Sequence, residues 1–346
     1  MKALWVYTGV WGGLALFLAA LVAALGDSPW ILVQAAYNTL ATGFGLGYTF
    51  FYMTPLLCTG LSVAVCLRTG LFNIGAEGQL YMGSLAAVGV ALAFPSLPWP
   101  LALPLAVWAS AAAGAAWGGL AGFLKAKRGS HEVITTILLN FIAIALVDYC
   151  VLYPLKNPEV QNPETLPVAT GFWLPNIDAL VSPLGVHWFA NTPVNVALVL
   201  ALSLCVFIHW FLKRTVLGFE LRVVGTSPDA ARYQGIAVSS RTVFAMALGG
   251  ACAGLVGVNE IFGHEHRLLQ GFSPQYGFVG IAVALLARNR PLVVILTSFL
   301  FGALHTAARE VEFLGEHTSR EVMLVIEALL IGAAVGVHWL GTRGKR

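Results

Sequence analysis

The stretch G-L-F-N-I-G-A-E-G-Q-L-Y-M at residues 70–82 lies between two apolar runs, 51–67 and 80–94. It holds three glycines (Gly70, Gly75, Gly78), two amides (Asn73, Gln79) and one carboxylate (Glu77). A carboxylate is costly in hydrocarbon, so it normally faces a bundle interior or a water-filled path. Glycines let helices break, or approach closely, where backbone has to line a cavity. Two readings fit these residue types. One is a helix break beside a path for a polar solute; the other is a tight turn at a membrane surface with Glu77 solvated.

Composition sets the class of the chain around that stretch. Of its 346 residues 58% are hydrophobic and 10% charged, against roughly 45–50% and 25% in soluble domains. Apolar runs long enough to cross about 30 Å of hydrocarbon recur along its length. The expected fold is an all-α polytopic membrane protein, a single permease-type domain over 1–346 with about ten spans. A net charge of +3, carried by basic residues in short loops, implies no nucleic-acid surface. Cys58, Cys66, Cys150, Cys205 and Cys252 all fall in apolar runs without a CxxC pair and read as small core residues.

Taken in order, residues 5–25 form an apolar run after Lys2. The run exceeds the ~7–15 residues of a signal-peptide core and reads as an uncleaved span. Residues 29–48 are less apolar and are expected to lie at the outer surface before a second span enters near Phe51. A third span is expected over 79–94, with Pro95, Pro98 and Pro100 turning the chain after it. The fourth, 101–124, carries Gly114, Gly118 and Gly122 at four-residue spacing, a groove for close helix packing that Gly250 and Gly254 repeat. The fifth runs from about 130 to 152. His131-Glu132 lacks the second histidine of a zinc motif, and Glu132 suits the positive end of that helix. Asn140, near its middle, fits either a solute path or a hydrogen bond between helices.

Residues 153–192 form the longest polar connection, with net charge −2 and six prolines. A loop of this length usually serves as a lid or docking surface. After a sixth span at 194–212 comes 213–241, with net charge +3. Within it T-S-P-D-A-A-R-Y-Q-G (226–235) reads as a short helix: Ser227 caps, Pro228 takes the first position, Asp229 the positive end, and Gly235 the stop. A seventh span, 241–262, ends near Asn259-Glu260. His264-Glu265-His266-Arg267 follows in a loop whose alternation is poor metal geometry. Spans at 276–287, 291–308 and 322–341 complete the ten, the last containing Glu327; the connection 309–321 carries four glutamates against two arginines. With ten spans every basic cluster falls on one side and both acidic loops on the other, which puts both termini in the cytoplasm. The pair Asn73…Glu77…Gly78 and Asn259-Glu260…Gly263 also makes an internal echo, as an inverted repeat would.

No Walker A, G-x-S-x-G or HExxH pattern occurs, so neither nucleotide hydrolysis nor other catalysis is expected of this chain. Three separated motifs resemble the ABC-type permeases for nucleosides and simple sugars. They are G-L-F-N-I-G-A-E-G-Q (70–79), S-H-E-V-I-T-T-I-L-L-N (130–140), and the run 221–286 with A-A-R-Y-Q-G-I (230–236) and G-F-S-P-Q-Y-G-F-V-G-I-A-V-A-L-L (271–286). The resemblance spans 55–304 in the expected order. It is closest to the nucleoside-importing branch and more distant from ribose and branched-chain amino-acid permeases.

The resemblance implies one membrane subunit of a bacterial inner-membrane importer. A separate cytoplasmic ATPase would carry ATP and Mg, an extracytoplasmic binding protein would deliver the solute, and a second permease chain, related or identical, would complete the pair. No cofactor is implied in this chain. Residues 226–236 would be the coupling helix, with Arg222, Gly225, Ser227, Pro228, Asp229, Ala230, Ala231, Arg232 and Gly235 as the coupling set. A neutral nucleoside wants amide partners and aromatic faces, which makes Phe72, Asn73, Gln79, Asn140, Asn259 and Phe272 pathway candidates beside Glu77 and Glu260. The rival reading is a proton-driven secondary transporter, with Glu77, Glu260 and Glu327 as carriers; a membrane scaffold or receptor is a second rival.

Overall fold

The computed structural model describes residues 16–315 apart from 18 and 186, together with 317, 325, 328, 329 and 332. These residues are helical, with no strand among them and only isolated bridges such as Lys156–Thr165 and Glu164–Leu269 in the long connection. Helix α1 (Trp30–Ala41) is followed at once by α2 (Gly43–Arg68), because Thr42 turns the chain extended and its hydroxyl accepts the Gly45 N–H at 3.0 Å. The expected surface segment 29–48 is therefore two helical pieces, and α2 begins well before Phe51. Its apolar stretch is unbroken on all faces, and accordingly α2 is buried nearly all round. The remaining helices follow in chain order, several of them packed on it.

These are α3 (Ala76–Ala93), α4 (Trp99–Arg128), α5 (Glu132–Leu152), α6 (Ala197–Arg214), α7 (Val216–Thr226), α8 (Pro228–Tyr233), α9 (Val238–Gly254), α10 (Tyr276–Leu286) and α11 (Pro291–Leu314). Six helices among the described residues are long and apolar enough to cross a membrane: α2, α4, α5, α6, α9 with its continuation to Glu265, and α11. The chain is thus a multi-pass helical membrane protein. The expected span 5–25 before residue 16, and the span 322–341 apart from 325, 328, 329 and 332, lie outside the described residues, Glu327 among them.

Several boundaries differ from the sequence reading for local reasons. Helix α9 does not stop near Asn259 but continues as a π-helical stretch, Val258–Glu265. Residues 213–241 contain two helices, since Thr215 caps α7 through the Gly218 N–H at 3.0 Å before α8 begins. Helix α11 runs to Leu314, so part of the acidic connection is helical. Helix α10 has only eleven residues; at 1.5 Å per residue it covers about half the hydrocarbon thickness.

The glycine pattern is explained by one contact. Helices α4 and α9 meet backbone to backbone: Gly114 lies on the Gly250 carbonyl, Gly118 on the Met246 carbonyl and Gly254 on the Ser110 carbonyl. Ser110 Oγ donates to the Gly254 oxygen at 2.7 Å. Between helices where lipid gives no hydrophobic drive, such close approach supplies the attraction. Basic segments collect at one end of the bundle, where Arg68 Nε donates to the Asn289 carbonyl at 2.8 Å and Gly225 packs on the Arg68 carbonyl. The long 153–196 connection covers the other end, tied down by Arg267 to Glu164 at 2.7 Å.

Candidate functional site

Two interruptions shape the interior. Residues 69–75 separate α2 from α3, and 266–275 precede α10; each contains a glycine with left-handed backbone, Gly70 at φ +74° and Gly271 at φ +64°. The first is held by amides. Asn73 Oδ1 accepts the Gly75 N–H at 2.9 Å and Gln79 Nε2 at 3.1 Å, while Asn73 Nδ2 donates to Ser62 Oγ and to Gln79 Oε1, both at 3.0 Å. Helix α3 starts at Gly75 without a capping side chain of its own. Asn140 supplies it from α5: its Oδ1 accepts the Gly78 N–H at 2.8 Å and its Nδ2 donates to the Ile74 carbonyl at 2.9 Å. Asn73, Gln79 and Asn140 are fully buried; the amides of Asn73 and Asn140 satisfy backbone that the break leaves open, and the Gln79 amide holds Asn73 in place. In this conformation all three shape the interruption and none lines the cavity described below.

Glu77, the second residue of α3, is 2% exposed, and its Oε2 accepts the Gly277 N–H at 2.7 Å. Gly277 is the second residue of α10, and Ser273 also bonds the same carboxylate. A Cβ at position 277 would strike the Glu77 backbone. The carboxylate therefore sits between two helix N-termini, where both positive dipole ends favour its charge.

Beside this junction is a cavity of about 460 Å³, within the ~300–1,000 Å³ range of small-molecule sites. Glu260 and Tyr276 lie at its buried side, Phe51, Tyr52, His264 and Phe272 form walls, and Glu265, His305, Arg309 and Glu312 add further polar groups to the lining. The rings brace one another: Phe51 on His264 with centroids 5.0 Å apart, Tyr52 on His305 at 4.3 Å, and Phe272 on Tyr81 at 4.8 Å. Arg309 Nη1 donates to the Tyr52 hydroxyl at 2.8 Å and its guanidinium lies 4.7 Å over the Tyr48 ring. Glu260 is aimed by a relay in which Asn195 Nδ2 donates to Asn259 Oδ1 and Asn259 Nδ2 to Glu260 Oε1, each at 3.1 Å. The Tyr276 side chain also bonds Glu260. The π-helical winding of 258–265 carries Glu260 and His264 to the cavity; such π stretches recur at functional sites.

Of the pathway candidates, Glu260 and Phe272 line the cavity, Asn259 stands directly behind Glu260, and Glu77 latches the two helix ends. Phe72 is half-buried on the first interruption and does not reach this cavity. Sequence reasoning passed over Tyr52, Tyr276 and Arg309, and weighed His264 only as a poor metal ligand. Tyr276 stood inside a quoted motif; the others carry no spacing signal, because their partners come from distant helices. The residues at 264–267 diverge rather than converge. His266 stacks on Trp173 at 3.9 Å, where burial and the nearby His264 hold its imidazole below the usual pKa, and Arg267 turns to Glu164.

The second constellation lies at the basic end. Ser227 Oγ accepts the Ala230 N–H at 3.2 Å, Pro228 opens α8, and Asp229 pairs with Arg232 at 2.6 Å. Ala231 is buried beneath the helix, and Gly235 ends it at φ +77°. The tip is Tyr233, 93% exposed. One step inward, Gly225 of α7 rests on the Arg68 and Thr69 backbone, with Gly70 beside it, and Arg222 Nε returns to the Gly218 carbonyl at 3.3 Å. The exposed helix α8 is thus connected through α7 to the interruption that carries Asn73 and leads into the first turn of α3, where Glu77 stands.

Residues 45–335 match the family model described as "Branched-chain amino acid transport system / permease component". The chain is 36% identical to the glucose ABC transporter permease protein TsgB13 of Haloferax volcanii over 294 residues, covering 85% of this chain and 77% of that one. It is 35% identical to the guanosine ABC transporter permease protein NupP of Bacillus subtilis over 308 residues, 87% and 86% of the two chains. It is 34% identical to the nucleoside ABC transporter permease protein NupB of Lactococcus lactis over 296 residues, 84% and 79%.

Proposed function

The chain belongs to the branched-chain amino acid transport system permease family, and from that premise we propose that it is the membrane subunit of an ATP-driven importer whose solute is a nucleoside. The observation that carries the choice of solute is the cavity beside α10: ring faces on Phe51, Tyr52 and Phe272 with one aimed carboxylate, Glu260, at its buried side. A purine or pyrimidine base stacks on such faces, and base N–H groups donate to a carboxylate. The names of relatives that carry guanosine and nucleosides point the same way.

In this reading α8 docks a separate ATPase, which holds ATP and Mg, while the 153–192 connection receives a solute-binding protein and a second permease chain completes the pair. The basic end of the bundle faces the cytoplasm of a bacterial cell, by the preference of Lys and Arg for the inner side. One permease domain of about ten spans, with both termini inside and an inverted repeat, accommodates the two glycine interruptions and their paired helix starts. ATP-driven closure of the ATPase pair moves α8. The Gly225 contact passes that motion to residues 69–75, and the Glu77–Gly277 latch passes it to α10 and the cavity, as rigid-body alternating access requires.

The test is uptake of labelled guanosine by cells carrying the variant Phe272→Ala. Base–aromatic stacking is worth about 1–3 kcal/mol, so the half-saturating concentration should rise about tenfold or more, with Phe272→Trp retaining uptake. Unchanged saturation in Phe272→Ala removes the cavity from the pathway.

A further inference from the structure

At the basic end, away from the aromatic cavity and the α8 tip, a second cavity of about 420 Å³ is lined by Arg68, Lys213, Arg222 and Arg290. These four cations come from four different helices or their caps: the end of α2, the end of α6, the middle of α7 and the residue before α11. No carboxylate lines the cavity, and none of the four makes an ion pair among the described residues. The guanidinium groups of Arg68 and Arg222 direct their Nε atoms to backbone carbonyls, Asn289 and Gly218, which leaves their charge uncompensated. Pro291 opens the 24-residue helix α11 at the cavity wall, adding the positive end of its dipole. Four like charges converge at one place with no carboxylate among the lining residues, a site whose potential favours an anion.

The surroundings say which anion. The same cavity includes Leu212, Leu292 and Val293, and the adjoining surface carries Trp210, Leu296 and Leu300, each 41–70% exposed. An indole at the rim of an apolar stripe is the usual mark of the membrane interface. A small soluble phosphate would use only the cations; a phospholipid uses the cations for its headgroup and the stripe for its chains.

We propose that this cavity binds the phosphate headgroup of an anionic phospholipid, with its acyl chains along the α6/α11 stripe. Basic pockets between membrane helices suit such headgroups. The lipid neutralises the cluster and holds α7, the arm between α8 and the α2–α3 interruption, against the end of α2. The inference depends on the chain's residence in a membrane, not on which solute it carries.

The test uses the full-length chain purified in detergent and native mass spectrometry, titrating dioleoylphosphatidylglycerol, dioleoylphosphatidylcholine and inorganic phosphate separately. The wild type should retain phosphatidylglycerol in preference to phosphatidylcholine. Lys213→Gln with Arg290→Gln should weaken that retention about 30-fold, at a factor of about five per charge. Lys213→Arg with Arg290→Lys should preserve it, with thermal unfolding unchanged in both pairs. Equal retention of the two lipids, or phosphatidylglycerol retention surviving the charge-removing pair, overturns the site. Inorganic phosphate competing at equal concentration overturns the lipid as its ligand.

Discussion

Glu77 is the residue on which the interior depends. Its carboxylate is buried and accepts the Gly277 N–H at the start of another helix. Glu77→Gln keeps an acceptor oxygen in place, so the chain should fold and assemble while the loss of charge between two helix ends slows uptake. Glu77→Ala leaves that N–H unpaired in the core, a loss of about 1–3 kcal/mol. The measurement is thermal unfolding in detergent beside uptake: Ala should lower the midpoint more than Gln does, and equal midpoints would show that the bond carries no weight. At this scale the sequence was partly legible. A carboxylate among glycines in an apolar chain marked Glu77, but nothing marked its partner, which lies 200 residues away. The amides Asn73, Gln79 and Asn140 were visible as polar residues in hydrocarbon, yet residue type does not tell a solute contact from a backbone clamp. Only the hydrogen bonds to Gly75, Gly78 and Ile74 separate the two.

Among the elements, α8 was readable nearly to the residue, because Ser227, Pro228, Asp229 and Gly235 are local signals acting within one turn. Helix α7 was missed because the basic charge of 213–241 made the whole segment read as a connection, although Thr215 is a capping residue type. The π-helical stretch was missed since no residue type encodes a wide turn. The two arms make distinct predictions. Arg232→Glu, on the exposed face of α8 where it pairs with Asp229, should abolish copurification of the ATPase without shifting thermal unfolding, as exposed substitutions usually stay within about 0.5 kcal/mol. Retained copurification would remove α8 from the docking role. Gly225→Leu, by contrast, drives a side chain into the Arg68 carbonyl where Gly225 now rests. It should leave the ATPase bound while uptake falls at least tenfold; uptake at the wild-type rate would mean that the α7 contact transmits nothing.

For the whole molecule, composition alone carried the class, and the run of apolar segments carried most of the helices. Which helix is central was not legible. Helix α2 is apolar all round, and its burial follows from what packs on it: α9 on one side, and α10, α11 and α6 on the others. Short α10 was read as a span because hydropathy reports apolarity rather than length, and at eleven residues it instead delivers its N-terminus to Glu77. On the function proposed above, motion would pass from α8 through α7 and the two interruptions to the aromatic cavity, with the energy supplied from outside this chain. The most direct measurement is uptake of labelled guanosine by cells lacking the chain and by complemented cells, with ATP depleted in one arm and the proton gradient collapsed at held ATP in the other. The expected result is uptake that requires this chain and ATP and survives loss of the gradient. Uptake that vanishes with the gradient while ATP is held would contradict it, and would make Glu77 and Glu260 proton carriers.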